Sequence, residues 1–136
     1  MLSKPQAVTP SRVVIVEDDR DTLELYSLFL STAGYAVHQA RNGADGLELV
    51  RSVQPSVVVT DLTLPDLGGG PLCKALRKAG SPGLQGLIVV SGSADEDVLA
   101  TARAAGADDI LTKPCLPAEL EAAIRRVLNA GDASVR

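Results

Sequence analysis

Glu17, Asp18, Asp61, Ser91 and Lys113 each stand at the carboxyl end of a short, mostly apolar run. Glu17 and Asp18 follow Val13-Val14-Ile15-Val16, and Asp61 follows Val57-Val58-Val59-Thr60. Ser91 follows Leu87-Ile88-Val89-Val90, and Lys113 closes a run through Ile110-Leu111-Thr112. Carboxylates brought together repel one another and cost stability unless something neutralises them. A hard divalent cation with oxygen ligands does so. Mg²⁺ prefers a few carboxylates plus waters and phosphate oxygens to an all-protein cage, and Mn²⁺ can substitute. Such a cation also overcomes the repulsion between a carboxylate nucleophile and an incoming phosphoryl group. Ser91 adds a hydroxyl, and Lys113 a positive charge, where negative charge develops. The set suffices for phosphoryl transfer to Asp61.

These side chains meet only if their runs are neighbouring parallel strands. Between the runs lie segments with helical spacing. Leu25, Tyr26, Phe29, Leu30 and Ala33 mark the first, which Gly34 ends. Asn42 is placed to cap a second helix carrying Ala44, Leu47 and Val50. Leu72, Ala75, Leu76 and Ala79 mark a third, Val98, Ala102 and Ala105 a fourth, and Leu120, Ile124, Val127 and Leu128 a fifth. A shorter alternating strand is expected over 35–40 and another over 108–112. Strict alternation predicts an α/β fold with a parallel sheet covered on both faces. Right-handed crossovers favour a flavodoxin-like (βα)5 doubly wound sheet of order 2-1-3-4-5. In that order the first and third strands flank the switch point, where ligands of open α/β sheets bind.

The rest of the chain bounds the reading. Its 136 residues suit one domain. A loose tail is expected over 1–10, the domain over 11–130, and a short tail over 131–136. Aromatics are 2% of the sequence, too few for base-stacking platforms. Net charge is −4 with no basic block, which disfavours nucleic acid as a partner. Cys73 and Cys115 lack metal-ligand spacing and are expected to be reduced thiols. No apolar run is long enough to span a bilayer, and the first residues lack a signal peptide's apolar stretch. A cytoplasmic protein with no membrane contact is expected.

Four segments now stand in order: VVIVEDD, VVVTDLTLPDLGG, VVSGS and GADDILTKP. Together they make the chain, over about 12–128, resemble the receiver (CheY-like) domain of bacterial two-component response regulators. The resemblance implies that Asp61 is the phosphorylated aspartate. It implies that Glu17 and Asp18 are the acidic pair holding Mg²⁺, Asp18 more directly, and that Thr63 offers the metal its backbone carbonyl. Ser91 resembles the hydroxyl residue that follows the phosphoryl group when its loop switches. Lys113 resembles the lysine that contacts the phosphate, with a cis bond to Pro114. A sensor histidine kinase or a histidine phosphotransfer protein would be the donor, and a downstream protein the target. The chain itself would be a monomer or weak dimer, and a signalling phosphoacceptor rather than an enzyme. One position departs: three residues before Lys113 the family usually has Tyr or Phe, and here stands Ile110. The usual coupling of hydroxyl movement to an inward-turning ring cannot operate in that form.

Other polar residues have plainer readings. Asp19 is expected to cap the first helix, Asp66 to serve its loop, and Asp95, Glu96 and Asp97 to complement a helix dipole. Asp108 and Asp109 are expected to shape the approach to the fifth strand, and His38 to face solvent. Gly68-Gly69-Gly70 lacks the GK[ST] ending of a phosphate loop. An aspartyl phosphatase of the haloacid dehalogenase type wants a second Asp where Thr63 stands. A flavin carrier is disfavoured by the acidic residues after the first strand. The competing function is a receiver acting as a protein-binding module without phosphorylation.

Overall fold

The computed structural model describes residues 9–134. The apolar runs, too short for helices and rich in Val and Ile, form the strands. These are β1 (Arg12–Val16), β2 (Ala36–Ala40), β3 (Val57–Asp61), β4 (Gly86–Ser91) and β5 (Asp109–Thr112). The helices are α1 (Arg20–Thr32), α2 (Gly43–Val53), α3 (Gly69–Gly80), α4 (Glu96–Ala104) and α5 (Pro117–Ser134). The strands pair in parallel in the order β2-β1-β3-β4-β5, the order expected.

Side chains alternate across the central strands and build two cores. Val14, Val16, Val58, Leu87 and Val89 pack with Val50 of α2, Leu72 and Leu76 of α3 and Ala102 of α4. Val13, Ile15, Val57, Val59, Ile88 and Val90 pack with Leu23, Tyr26 and Leu30 of α1 and Leu120 and Ile124 of α5. Burial on both faces is why β1, β3 and β4 read as unbroken apolar runs. Cys73 is buried in the first core, where burial pushes its thiol up to about 11; both cysteines are free.

Several boundaries and faces differ from expectation. The buried stripe of α1 is Leu23, Tyr26, Ser27 and Leu30, while Leu25 and Phe29 are exposed at 53% and 39%. Apolar residues at 23, 25, 26, 28, 29 and 30 make two adjacent stripes, and only the sheet's position selects one. On α4, Leu99 replaces Val98 on the buried face. Strand β2 begins at Ala36, because Tyr35 spends its backbone N–H on the Leu30 carbonyl, and β5 begins at Asp109, where the Leu87 N–H goes to the Asp108 carboxylate rather than to a backbone carbonyl. α5 continues to Ser134, into the segment expected as a short tail over 131–136; Gly131 alone costs too little helix propensity to stop it. Of the expected N-terminal tail, residues 1–8 lie outside the described residues. His38 is half-buried on β2 rather than solvent-facing.

Caps behave as their residue types require. The Asp19, Asn42 and Asp95 carboxylate or amide oxygens accept the backbone N–H of Thr22, Asp45 and Asp97. Asp66 acts over a longer range. From the loop after β3 it accepts the N–H groups of Gly43 at 2.8 Å and Ala44 at 2.9 Å, so it caps α2 a second time. Those bonds, Gly43's first, hold its carboxyl below the ordinary 3.8. A depressed pKa contributes stability above 3.8 that is lost as pH falls through the lowered value. Asp66→Ala is therefore expected to lower the melting temperature by a few degrees at neutral pH. The gap from wild type should close on acidification below pH 3.8; a gap that persists in acid would refute the cap.

Candidate functional site

The strand register brings the candidate side chains to one edge. Val16 pairs with Thr60, so Glu17 leaves β1 beside Asp61 at the end of β3. Asp61 pairs with Val90, which puts Ser91 one residue further along β4. Ser91 pairs with Thr112, and the Lys113 N–H donates to the Ser91 carbonyl at 2.8 Å. The loop after β3 is turned back sharply: Gly69 N–H donates to the Leu62 carbonyl at 2.9 Å. A Cβ on Gly68 would collide with that same carbonyl oxygen, so glycine permits the approach that fixes the Asp61–Leu62–Thr63 step.

Asp61 is 7% exposed and Glu17 3%, while Asp18 is open to solvent. Each of the three offers a carboxylate oxygen, and these oxygens lie within 4.8 Å of one another. Lys113 reaches into the cluster, its Nζ 2.7 Å from Asp61 Oδ2 and 3.2 Å from Glu17 Oε1. The other Asp61 oxygen accepts the Thr63 N–H at 3.0 Å, and Glu17 Oε2 accepts the Asp19 N–H at 3.0 Å. Burial raises the Glu17 carboxyl above its ordinary value, against the pull of the Asp19 N–H and of Lys113. Burial also pulls Lys113 down, but the Asp61 hydrogen bond and charge, joined by Glu17, outweigh it and raise the ammonium's pKa. The lysine stays charged, and three carboxylates face one ammonium. That imbalance, the all-oxygen donor set and the open side at Asp18 fit a hard divalent cation.

Ser91 is 2% exposed, and its Oγ accepts the Ser93 N–H at 3.0 Å. Thr63 is exposed. The Lys113–Pro114 bond is cis, as the resemblance implied; Ser81–Pro82 is also cis, which the sequence did not signal. Ile110 is partly buried against the core shared with α2, α3 and α4. Two contacts escaped sequence reasoning. Arg41 donates to the Asp18 carbonyl at 3.1 Å, and Tyr26 donates to the Cys115 carbonyl at 2.8 Å. Neither has a spacing signal, since the partners lie 23 and 89 residues apart.

The sequence matches the response regulator receiver domain family over residues 13–125. The chain belongs to the response regulator receiver family. Members of that family are signalling phosphoacceptors rather than enzymes. This receiver is 37% identical over 119 residues to the response regulator MprA of Mycolicibacterium vanbaalenii, covering 88% of this chain and 51% of that one. It superposes with a TM-score of 0.86 on a CheY-like response regulator receiver domain protein from Methanospirillum hungatei. That match has 28% identity and covers 93% of this chain and 99% of that one. A beryllofluoride-activated DrrB receiver domain is 30% identical with a TM-score of 0.78, covering 89% and 99%. The receiver spans about half the length of the curated relatives it matches. Among the described residues no helix is long and apolar enough to cross a membrane.

Proposed function

We propose that Asp61 of this receiver accepts a phosphoryl group from the phosphohistidine of a sensor histidine kinase or a histidine phosphotransfer protein. The observation that carries the reading is the meeting of three carboxylates with the Lys113 ammonium at the carboxyl edge of the sheet. Glu17, Asp18 and Asp61, with the Thr63 carbonyl, would hold Mg²⁺, for which Mn²⁺ can substitute. The bound cation supplies charge neutralisation between the carboxylate and the incoming phosphoryl group. An Asp61 oxygen forms the new P–O bond while the P–N bond to the donor imidazole breaks. Lys113 passes from the carboxylate oxygen it holds to a phosphoryl oxygen, and the Ser91 hydroxyl, whose oxygen accepts the Ser93 N–H, donates its O–H to another. The consequence would be a changed interaction surface read by a downstream protein, in a cytoplasmic chain that is monomeric or weakly dimeric.

The test is incubation with acetyl phosphate and Mg²⁺, followed by intact mass and by mapping of the adduct to Asp61. An adduct on Asp61 is the expected result. A second reading, a binding module that works without phosphorylation, is favoured by the aliphatic Ile110 at the aromatic position. Absence of any adduct, with no response to beryllofluoride and Mg²⁺, would support it instead.

A further inference from the structure

We infer that Tyr26 is a positioning residue for Lys113, an inference that rests on the reading of Asp61 as phosphoacceptor. The Tyr26 ring is 4% exposed and sits in the core that α1 shares with α5. Its hydroxyl donates to the Cys115 carbonyl at 2.8 Å, two residues beyond Lys113. On the other side of the lysine, its own N–H is held by the Ser91 carbonyl at 2.8 Å. Lys113 therefore leaves the sheet between two backbone anchors, one from β4 and one from α1.

The second anchor matters because one side of this segment is open, while Cys115 packs against the core on the other. Thr22, Leu25, Tyr26, Lys113, Pro114 and Cys115 line a common cleft of about 460 Å³ on the open side, so the turn borders space rather than packed protein there. A lysine side chain is long and flexible, and the oxygens its ammonium can reach depend on where its Cα is held. Here Nζ reaches Asp61 at 2.7 Å and Glu17 at 3.2 Å, a placement that a slack turn would not fix. Burial raises the phenol well above its ordinary value, so it remains a donor through the working pH range. Tyr35 supplies a built-in comparison. It joins the same side of the fold through a hydroxyl bond to Glu121 at 3.0 Å, but has no connection to Lys113.

The experiment measures the labelling rate with acetyl phosphate and Mg²⁺, in which an Asp61 oxygen takes the phosphoryl group and acetate leaves. Tyr26→Phe is expected to slow labelling about tenfold without weakening Mg²⁺ binding. Tyr35→Phe is expected to label at the wild-type rate. In a Lys113→Ala background, Tyr26→Phe should slow the residual rate no further, because the residue it positions is gone. An equal slowing in both backgrounds, or a Tyr26→Phe rate equal to wild type, overturns the inference. Should Tyr26→Phe fail to fold, the wild-type chain decides: the Tyr26 ζ-carbon NMR signal should shift when beryllofluoride and Mg²⁺ bind, and an unmoved signal overturns it. A wild-type chain that takes no label sinks the phosphoacceptor reading itself, whereas wild-type labelling with an unaffected Tyr26→Phe sinks only the tether.

Discussion

Asp61→Asn is expected to reduce labelling by acetyl phosphate to background while the chain stays folded. The amide keeps the volume of the side chain and an oxygen to accept the Thr63 N–H, which now bonds Oδ1 at 3.0 Å. It loses the nucleophilic oxygen, and its NH₂ cannot accept from Lys113, which now holds Oδ2 at 2.7 Å. Two opposed effects set the stability. The lysine forfeits its shorter ion pair, yet keeps Glu17 at 3.2 Å and has 30% of its side chain in solvent. Removing one of three converging carboxylates also relieves repulsion. The net change is expected to be about 1 kcal/mol or less, far from enough to unfold a domain. Thermal unfolding checks the fold, and intact mass checks the label. The nearest competitor for the phosphoryl group is Asp18, which is open to solvent beside Asp61. Label persisting in Asp61→Asn at a comparable rate, on Asp18 or elsewhere, would remove Asp61 from the acceptor role.

The sequence was most legible where one physical rule ties residue type to place. A parallel sheet puts every strand's carboxyl end on one edge, so polar residues closing apolar runs had to converge. Asp61, Glu17 and Lys113 are found in direct contact for that reason. Local caps were legible too, because Asp19 and Asn42 act within three residues of themselves; Asp95, read only as complementing the helix dipole, also caps α4. What escaped is what spacing cannot carry. Periodicity showed α1 to be apolar but not which of its stripes the sheet would cover, and Leu25 and Phe29, part of the apolar pattern, lie outward. Asp66 was assigned to its own loop, but it caps α2, more than twenty residues upstream, an effect that exists only once α2 and that loop are side by side. Tyr26 read as one apolar residue among several on α1. Its hydroxyl acquires meaning only when Cys115 arrives in the turn after β5, and no rule of composition or period joins them. The chemistry-bearing residues were thus readable from the sheet's logic, whereas the residues that hold them in place depend on the packing of helices.

Mg²⁺ is expected to raise the melting temperature, since the folded chain gathers Glu17, Asp18 and Asp61 and the unfolded chain does not. At a hundred times its dissociation constant, a ligand specific for the folded state adds about 2.7 kcal/mol, which for a domain of this size is a rise of roughly 10 °C. NaCl at matched ionic strength should not reproduce it. Asp18→Ala should remove most of the rise at little cost to the metal-free protein, because that carboxylate is exposed and its Arg41 contact uses the backbone carbonyl. An equal rise in Asp18→Ala would mean that Mg²⁺ binds elsewhere. Lys113 gives the sharper comparison. Its ammonium, bonded to Asp61 and Glu17, already offsets part of the negative charge that would draw the cation. Lys113→Ala should therefore lower the melting temperature without metal, because three carboxylates are left unopposed, and should enlarge the rise on adding Mg²⁺. The same substitution should slow labelling, since the charge that meets the phosphoryl oxygen is gone. Tighter metal binding with slower transfer separates the two tasks of the cluster: the carboxylates gather the cation, and the lysine, which opposes that binding, serves the transferred group.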